Sequence, residues 1–173
     1  MDFNATTIVR YPIEVVWQAM RDKLPEIARN IDDIESITVD KRRKLPDGKL
    51  EVINIWKASP KLPSIILNQL KPEMMIWTDS AIWDENCRSC NWTIDPHYFS
   101  KKIVCQGSTT FEEALGGNGT RLTLRGNIYI NASKGLSGTA DGVIGKVIES
   151  VLTKILPSNF AKLAKAIAIH IEK

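Results

Sequence analysis

Few side chains in this sequence combine a reactive type with a spacing that supports chemistry. Cys87 and Cys90, in ENCRSCNW, have the two-residue gap of a redox or zinc pair. A redox pair of this kind opens a helix, whose N-terminus lowers the thiol pKa. Here the flanks WDEN and NWTID read as a turn and a strand. Zinc would need two further ligands, and Cys105, His97 and His170 lack paired ligand spacing, so no metal or cofactor is expected. An odd count of three cysteines fits a reducing compartment better than a disulfide framework.

The acid–base candidates are His97, Asp95 and Asp79. His97 and Asp95 lie two apart in DPHYF, where both read as turn residues, and His170 falls in a final helical turn. No GxSxG, no HExxH and no phosphate-cradling glycine loop before a helix occurs, and Gly116-Gly117-Asn118-Gly119 reads as a hairpin turn. No nucleophile, base and orienting group assemble from sequence alone.

The segment KLPSIILNQLKPEMMIW, Lys61 to Trp77, raises a different possibility. Its prolines bracket a stretch too apolar for an ordinary loop and too short for a membrane span. Leu62, Ile65, Ile66 and Leu70 pack on a sheet rim in one reading and cover a cavity as a lid in the other. Lys61 and Lys71 frame the stretch and would favour transient contact with an anionic membrane surface.

The elements that position these residues follow from periodicity. Thr6 to Val9 closes a short strand, and Pro12 then suits the start of a helix. Ile13, Val16, Trp17, Met20, Leu24, Ile27, Ala28 and Ile31 form one apolar stripe, which Pro25 divides into two helical pieces. A hairpin follows, with Ile37 and Val39 sharing a face and the turn at Leu45-Pro46-Asp47-Gly48. Its second arm has Val52 and Trp56 on one face and Ile53 and Ile55 on the other, which predicts cover on both sides. MMIWTDSAIW (a strand from Met74), CNWTI, KKIVCQGSTTFEE and RLTLRGNIYI continue as an antiparallel meander with one dry face. Cys90, Trp92 and Ile94 share a face of one strand, as do Ile103, Cys105 and Phe111 of another.

After a Gly/Ser-rich linker, about thirty residues of helical pattern span on the order of 45 Å. Ile144, Val147, Ile148, Val151 and Ile155 lie on its apolar stripe, Pro157 bends or breaks it, and Leu163, Ile167 and Ile171 carry it on. The expected fold is α+β, one domain over 1–173: a curved antiparallel sheet, a helix pair after the first strand, and a long C-terminal helix over a central cavity. Trp56, Trp77, Trp92, Cys105 and Phe111 would line that cavity with the lid and helix residues named above. Thr78, Ser80, Asn91 and Thr109 are small polar residues in the same strands.

TTIVRYPIEVVWQAM, the run of strands and the terminal helix together resemble the START-like superfamily, also called SRPBCC, helix-grip or Bet v 1-like. DKRRKLPDGKLEVINIWKASPKLPSIILNQL, SCNWTIDPHYF and SNFAKLAKAI are similar in order and spacing to landmarks of its PRELI-like lipid-transfer branch. That resemblance implies a mobile lid over Leu62 to Leu70, with the branch's acidic residue matched loosely by Asp79. It implies a small hydrophobic molecule or lipid as ligand. The alternatives are a polyketide cyclase, aromatase-like or hydrolase enzyme of the same fold, and a protein-interaction module.

Composition narrows the class. Of 173 residues 43% are hydrophobic and 25% charged, and the net charge is +3. No basic stripe interleaved with aromatics suggests nucleic acid, and Lys41-Arg42-Arg43-Lys44 reads as a solvated hairpin end. The opening MDFNATTIVR lacks an apolar targeting core, so a cytoplasmic protein is expected.

Overall fold

A computed structural model describes residues 1–59, 64, 68, 71–98, 103–130 and 156–173. Strand β1 (Asp2–Val9) runs into α1 (Ile13–Asp22) through Pro12, whose carbonyl accepts from the Val15 and Val16 amides at 3.1 and 3.2 Å. Proline suits this place because the missing N–H would have had no partner inside the helix. The helix ends where Lys23 adopts φ −125° and Pro25 can give no amide to the ladder, so α2 (Leu24–Ala28) starts on a new axis. The expected division at Pro25 is found.

Strands β2 (Ile34–Lys44), β3 (Leu50–Ala58), β4 (Ile76–Asp84), β5 (Ser89–Pro96), β6 (Ile103–Ala114) and β7 (Gly119–Ile130) follow, and α3 (Leu156–Ile171) closes the chain. Among the described residues the sheet has seven strands, all antiparallel, in the order β1-β7-β6-β5-β4-β3-β2. The meander therefore returns its last strand to pair with the first. At the β2–β3 turn Gly48 takes φ +86°, a conformation that favours glycine. Arg42 reaches Asp22 at 2.5 Å and Arg43 reaches Glu51 at 2.6 Å, so two residues of the basic run are held in ion pairs.

Two expectations are corrected. β4 begins at Ile76, because Pro72–Met75 forms a turn of 3-10 helix that takes Met74 out of the sheet. Ile37 and Val39 share a face as expected, although Val39 is 44% exposed where Ile37 is 6%, since β2 is an edge strand with a bulge between Val39 and Lys41. Ile53 and Ile55 are only half-buried: the described helices pack on the opposite, concave face, where their apolar stripe meets the sheet's dry side.

The main core forms at one end of that concave face. Trp17 of α1 is fully buried and meets Trp83 at 5.2 Å and Phe111 at 4.9 Å, both edge-on, while Ile167 of α3 packs alongside. A second cluster joins Phe3, Ile103, Cys105 and Ile128, and a third joins Leu24, Ala28 and Ile37 with Trp56 against it. Lys162 of α3 pairs with Asp33, fastening that helix to the segment after α2. Among the described residues, no helix is long and apolar enough to cross a membrane.

Candidate functional site on the concave face

The antiparallel register sorts the strand side chains into rungs that cross the sheet. One rung carries Ile37, Trp56, Trp77 and Pro96, and the next carries Asn54, Asp79, Ile94, Cys105 and Ile128. A third carries Val52, Ala81, Trp92, Gly107, Gly126 and Phe3. Burial of Val52, Asn54, Ala81, Cys105 and Phe3 shows that these three rungs point into the concave side. Asp79 thus sits within an apolar surface, between Asn54 and Ile94 across the strands and between Trp77 and Ala81 along its own.

Burial pushes the Asp79 carboxyl up from 3.8 to about 6, and the neighbouring Asn54 amide and Trp56 indole N–H pull it part of the way back. Asn54 is 4% exposed, and its Oδ1 has no hydrogen-bond partner among the described residues. The Trp56 Nε1 is buried beside the carboxyl without a hydrogen bond of good geometry. A buried amide oxygen left unpaired is costly, so the group of Asp79, Asn54 and Trp56 has unused bonding capacity.

Aromatic rings flank this polar spot on both sides. Trp56 and Trp77 stack with centroids 5.7 Å apart and planes 21° from parallel. On the far side Phe3 and Trp92 stack at 6.2 Å, and the Trp92 Nε1 donates to Thr109 Oγ1 at 3.2 Å. Burial, and secondarily the charge of Asp79, holds the Cys90 thiol well above its usual pKa, while burial pushes Cys105 up to about 11. Both thiols therefore stay protonated and act as small apolar groups near neutral pH. Cys87 is exposed in the β4–β5 turn, and all three cysteines are free.

The register places Trp56, Trp77, Trp92, Cys105 and Phe111 on the concave face, with Phe111 drawn into the core against Trp17. Leu62, Ile65, Ile66, Leu70, Ile144, Val147, Ile148, Val151 and Ile155 lie outside the described residues. Within the first of these segments, the Asn68 amide donates to the Ser64 carbonyl at 2.9 Å. Of the acid–base candidates, Asp95 and His97 both lie beside Thr78 on the convex side, apart from Asp79: Asp95 pairs with Thr78 across the strands, and exposed His97 meets Thr78 Oγ1 through Nε2 at 2.8 Å. Ser80 and Asn91 share that outer face, whereas Thr109 is inside.

Asn54 and Cys90 complete the neighbourhood of Asp79. The alternation Val52-Asn54-Trp56 was the available signal for Asn54, a polar residue at inward parity in a strand otherwise rich in apolar side chains. Two shallow depressions of about 470 and 360 Å³ meet at Gln106 and Gly107, but they open onto the polar convex side, away from Asp79. Among the described residues no group of three His, Cys, Asp or Glu could hold a metal ion.

This α+β arrangement, an antiparallel sheet with helices packed on one face, is shared by solved structures along nearly the whole chain. The protein TTHA0849 from Thermus thermophilus superposes with a TM-score of 0.68 at 16% identity, over 99% of this chain and 97% of that one. The Zhui aromatase/cyclase from Streptomyces sp. R1128 gives 0.69 at 15% identity, over 99% and 93%. Norcoclaurine synthase from Thalictrum flavum gives 0.60 at 11% identity, over 100% and 87%. No protein-family model matches the sequence, and no curated protein matches it.

Proposed function

We propose that this chain binds a small apolar molecule or lipid against the concave face, in the region where Trp56, Trp77 and Asp79 meet. The observation that carries this reading is a polar group with unused hydrogen-bonding capacity set between two aromatic stacks. A face meant only for packing does better with apolar side chains throughout, because a buried carboxyl costs stability. Apolar burial would supply affinity at about 25 cal/mol per Å² before the costs of ordering. The likeness of Leu62 to Leu70 to a PRELI-like lid favours a lipid and a gated entrance, with only transient membrane contact.

Native mass spectrometry of freshly purified protein, paired with an organic extract of the same sample, tests the reading. The expected result is a discrete added mass that passes into the extract and is lost in Trp77→Asp. A clean apo mass that persists after incubation with mixed lipids and aromatic compounds would overturn it.

An enzymatic reading has one observation in its favour. A carboxyl titrating near 6 can both give and accept a proton close to neutral pH, which is what general acid–base catalysis requires. Two of the similar structures are a cyclase and a synthase by name. In this reading Asp79→Asn abolishes turnover while leaving ligand capture intact.

A further inference from the structure

Resting on the ligand-binding reading above, we infer that the ligand presents a primary ammonium group to Asp79 and Asn54. The two groups face each other across β4 and β3, both on the concave side, and both offer acceptor oxygens. Among the described residues no Lys, Arg or His pairs with Asp79, and the Asn54 Oδ1 accepts nothing. Among the described residues, then, the Asp79 carboxylate lacks a positive charge beside it and the Asn54 Oδ1 lacks a donated proton. An ammonium supplies both, with three N–H donors. A hydroxyl has a single proton to share between two acceptors and brings no charge. An anionic head group such as a carboxylate or phosphate would meet the carboxylate with the same sign and is disfavoured.

The aromatic surroundings point the same way. Trp56 and Trp77 occupy the rung next to Asp79, and a ring face attracts a cation that the solvent has left. The stack also offers a flat apolar wall for the body of the ligand, which suits either an arylalkylamine or a long-chain alkylamine.

A pH dependence follows. Asp79 titrates near 6, so an ammonium gains its counter-charge as pH rises through that value and keeps it until the amine itself deprotonates. The titratable groups facing Asp79 among the described residues are Cys90 on β5 and Cys105 on β6, both protonated throughout this range. α2 contributes Leu24 and Ala28 near Trp56 and no charge to that contact.

The test uses the full chain and the fluorescent apolar probe 1-aminoanthracene, displaced by matched pairs: tryptamine against tryptophol, and dodecylamine against dodecanol and dodecanoate. Each amine is expected to displace the probe at a concentration at least tenfold below that of its alcohol. That preference should shrink below pH 6 and vanish in Asp79→Asn, while the wild-type comparison stands even if the variant folds poorly. Whichever amine binds tighter separates the aromatic from the alkyl source of the ammonium. Equal displacement by amine and alcohol, with the probe bound, overturns the ammonium assignment and leaves the pocket. Failure of the probe and all five competitors to bind overturns both.

Discussion

Gly107 on β6 faces Gly126 on β7, and aromatic rings occupy the space that side chains would fill at both positions. A Cβ on Gly126 would lie 2.4 Å from the Phe3 ring and 2.8 Å from that of Trp92. On Gly107 it would meet the Arg125 carbonyl oxygen at 2.1 Å and Trp92 at 2.6 Å. The glycine pair is what lets the Phe3–Trp92 stack lie down on the sheet beside the candidate site.

Gly126→Ala and Gly107→Ala are therefore expected to destabilise the fold by about 1–3 kcal/mol, the usual cost of forcing extra volume into a packed site. Gly107→Ala should be the worse of the two, because a backbone oxygen cannot swing aside. Chemical denaturation measures both. Gly48→Ala is the control: a Cβ there meets nothing within 4 Å, so only its φ of +86° adds a cost, on the order of 1 kcal/mol.

Asp79 should give the protein an unusual stability profile in acid. Its folded pKa lies above its unfolded value, so between about pH 4 and 6 the folded state holds more protons than the unfolded one. Stability from this group is then full below pH 4 and is lost as pH rises through 6. A rise from 3.8 to about 6 is worth on the order of 3 kcal/mol. Asp22 and Asp84 act oppositely and in a lower window. An ion pair with Arg21 lowers the first, and the Cys87 and Asn86 amides lower the second, so each loses its contribution as pH falls below the usual carboxylate value. Asp79→Asn should raise the thermal midpoint at pH 7 and flatten the decline between pH 4 and 6. A midpoint and slope unchanged by the substitution would show that the carboxyl is not buried in an apolar setting.

Alkylation by iodoacetamide should distinguish the three thiols. Cys87 is exposed, whereas Cys90 and Cys105 are buried with their pKa values raised. Native protein is expected to take up one equivalent, at Cys87, and unfolded protein three. Rapid labelling of Cys90 in the native state would contradict the position of β5.

Much of this arrangement could be read from residue order. Pro25 divides the helix pair, Asp47-Gly48 turns the hairpin, and the parity of Leu122, Leu124, Ile128 and Ile130 identifies the dry face of β7. These are local signals, decided by one turn or one strand. The candidate site was harder to see because it depends on pairing between strands. Asp79 looks ordinary in WTDSAIW until β3 puts Asn54 beside it and β5 puts Ile94 on the other side. Asp95 and His97 carry a more suggestive spacing, yet strand alternation leaves Asp95 on the far side of the sheet from Asp79. The strand expected from Met74 failed locally, since Pro72 favours the tight turn that precedes β4.

The most direct test of ligand binding at this spot uses the tryptophans as reporters. In a ¹H–¹⁵N spectrum each of the five indole N–H groups gives its own signal. During titration with 1-aminoanthracene or the extracted ligand, Trp56 and Trp77 are predicted to shift first and furthest, with Trp92 following. Trp17, sealed between α1 and the sheet with no exposed surface, should stay in place. Saturable shifts at Trp56 and Trp77 would support a ligand beside Asp79. No shift at either, with the compound demonstrably bound or with no binding at all, would contradict it.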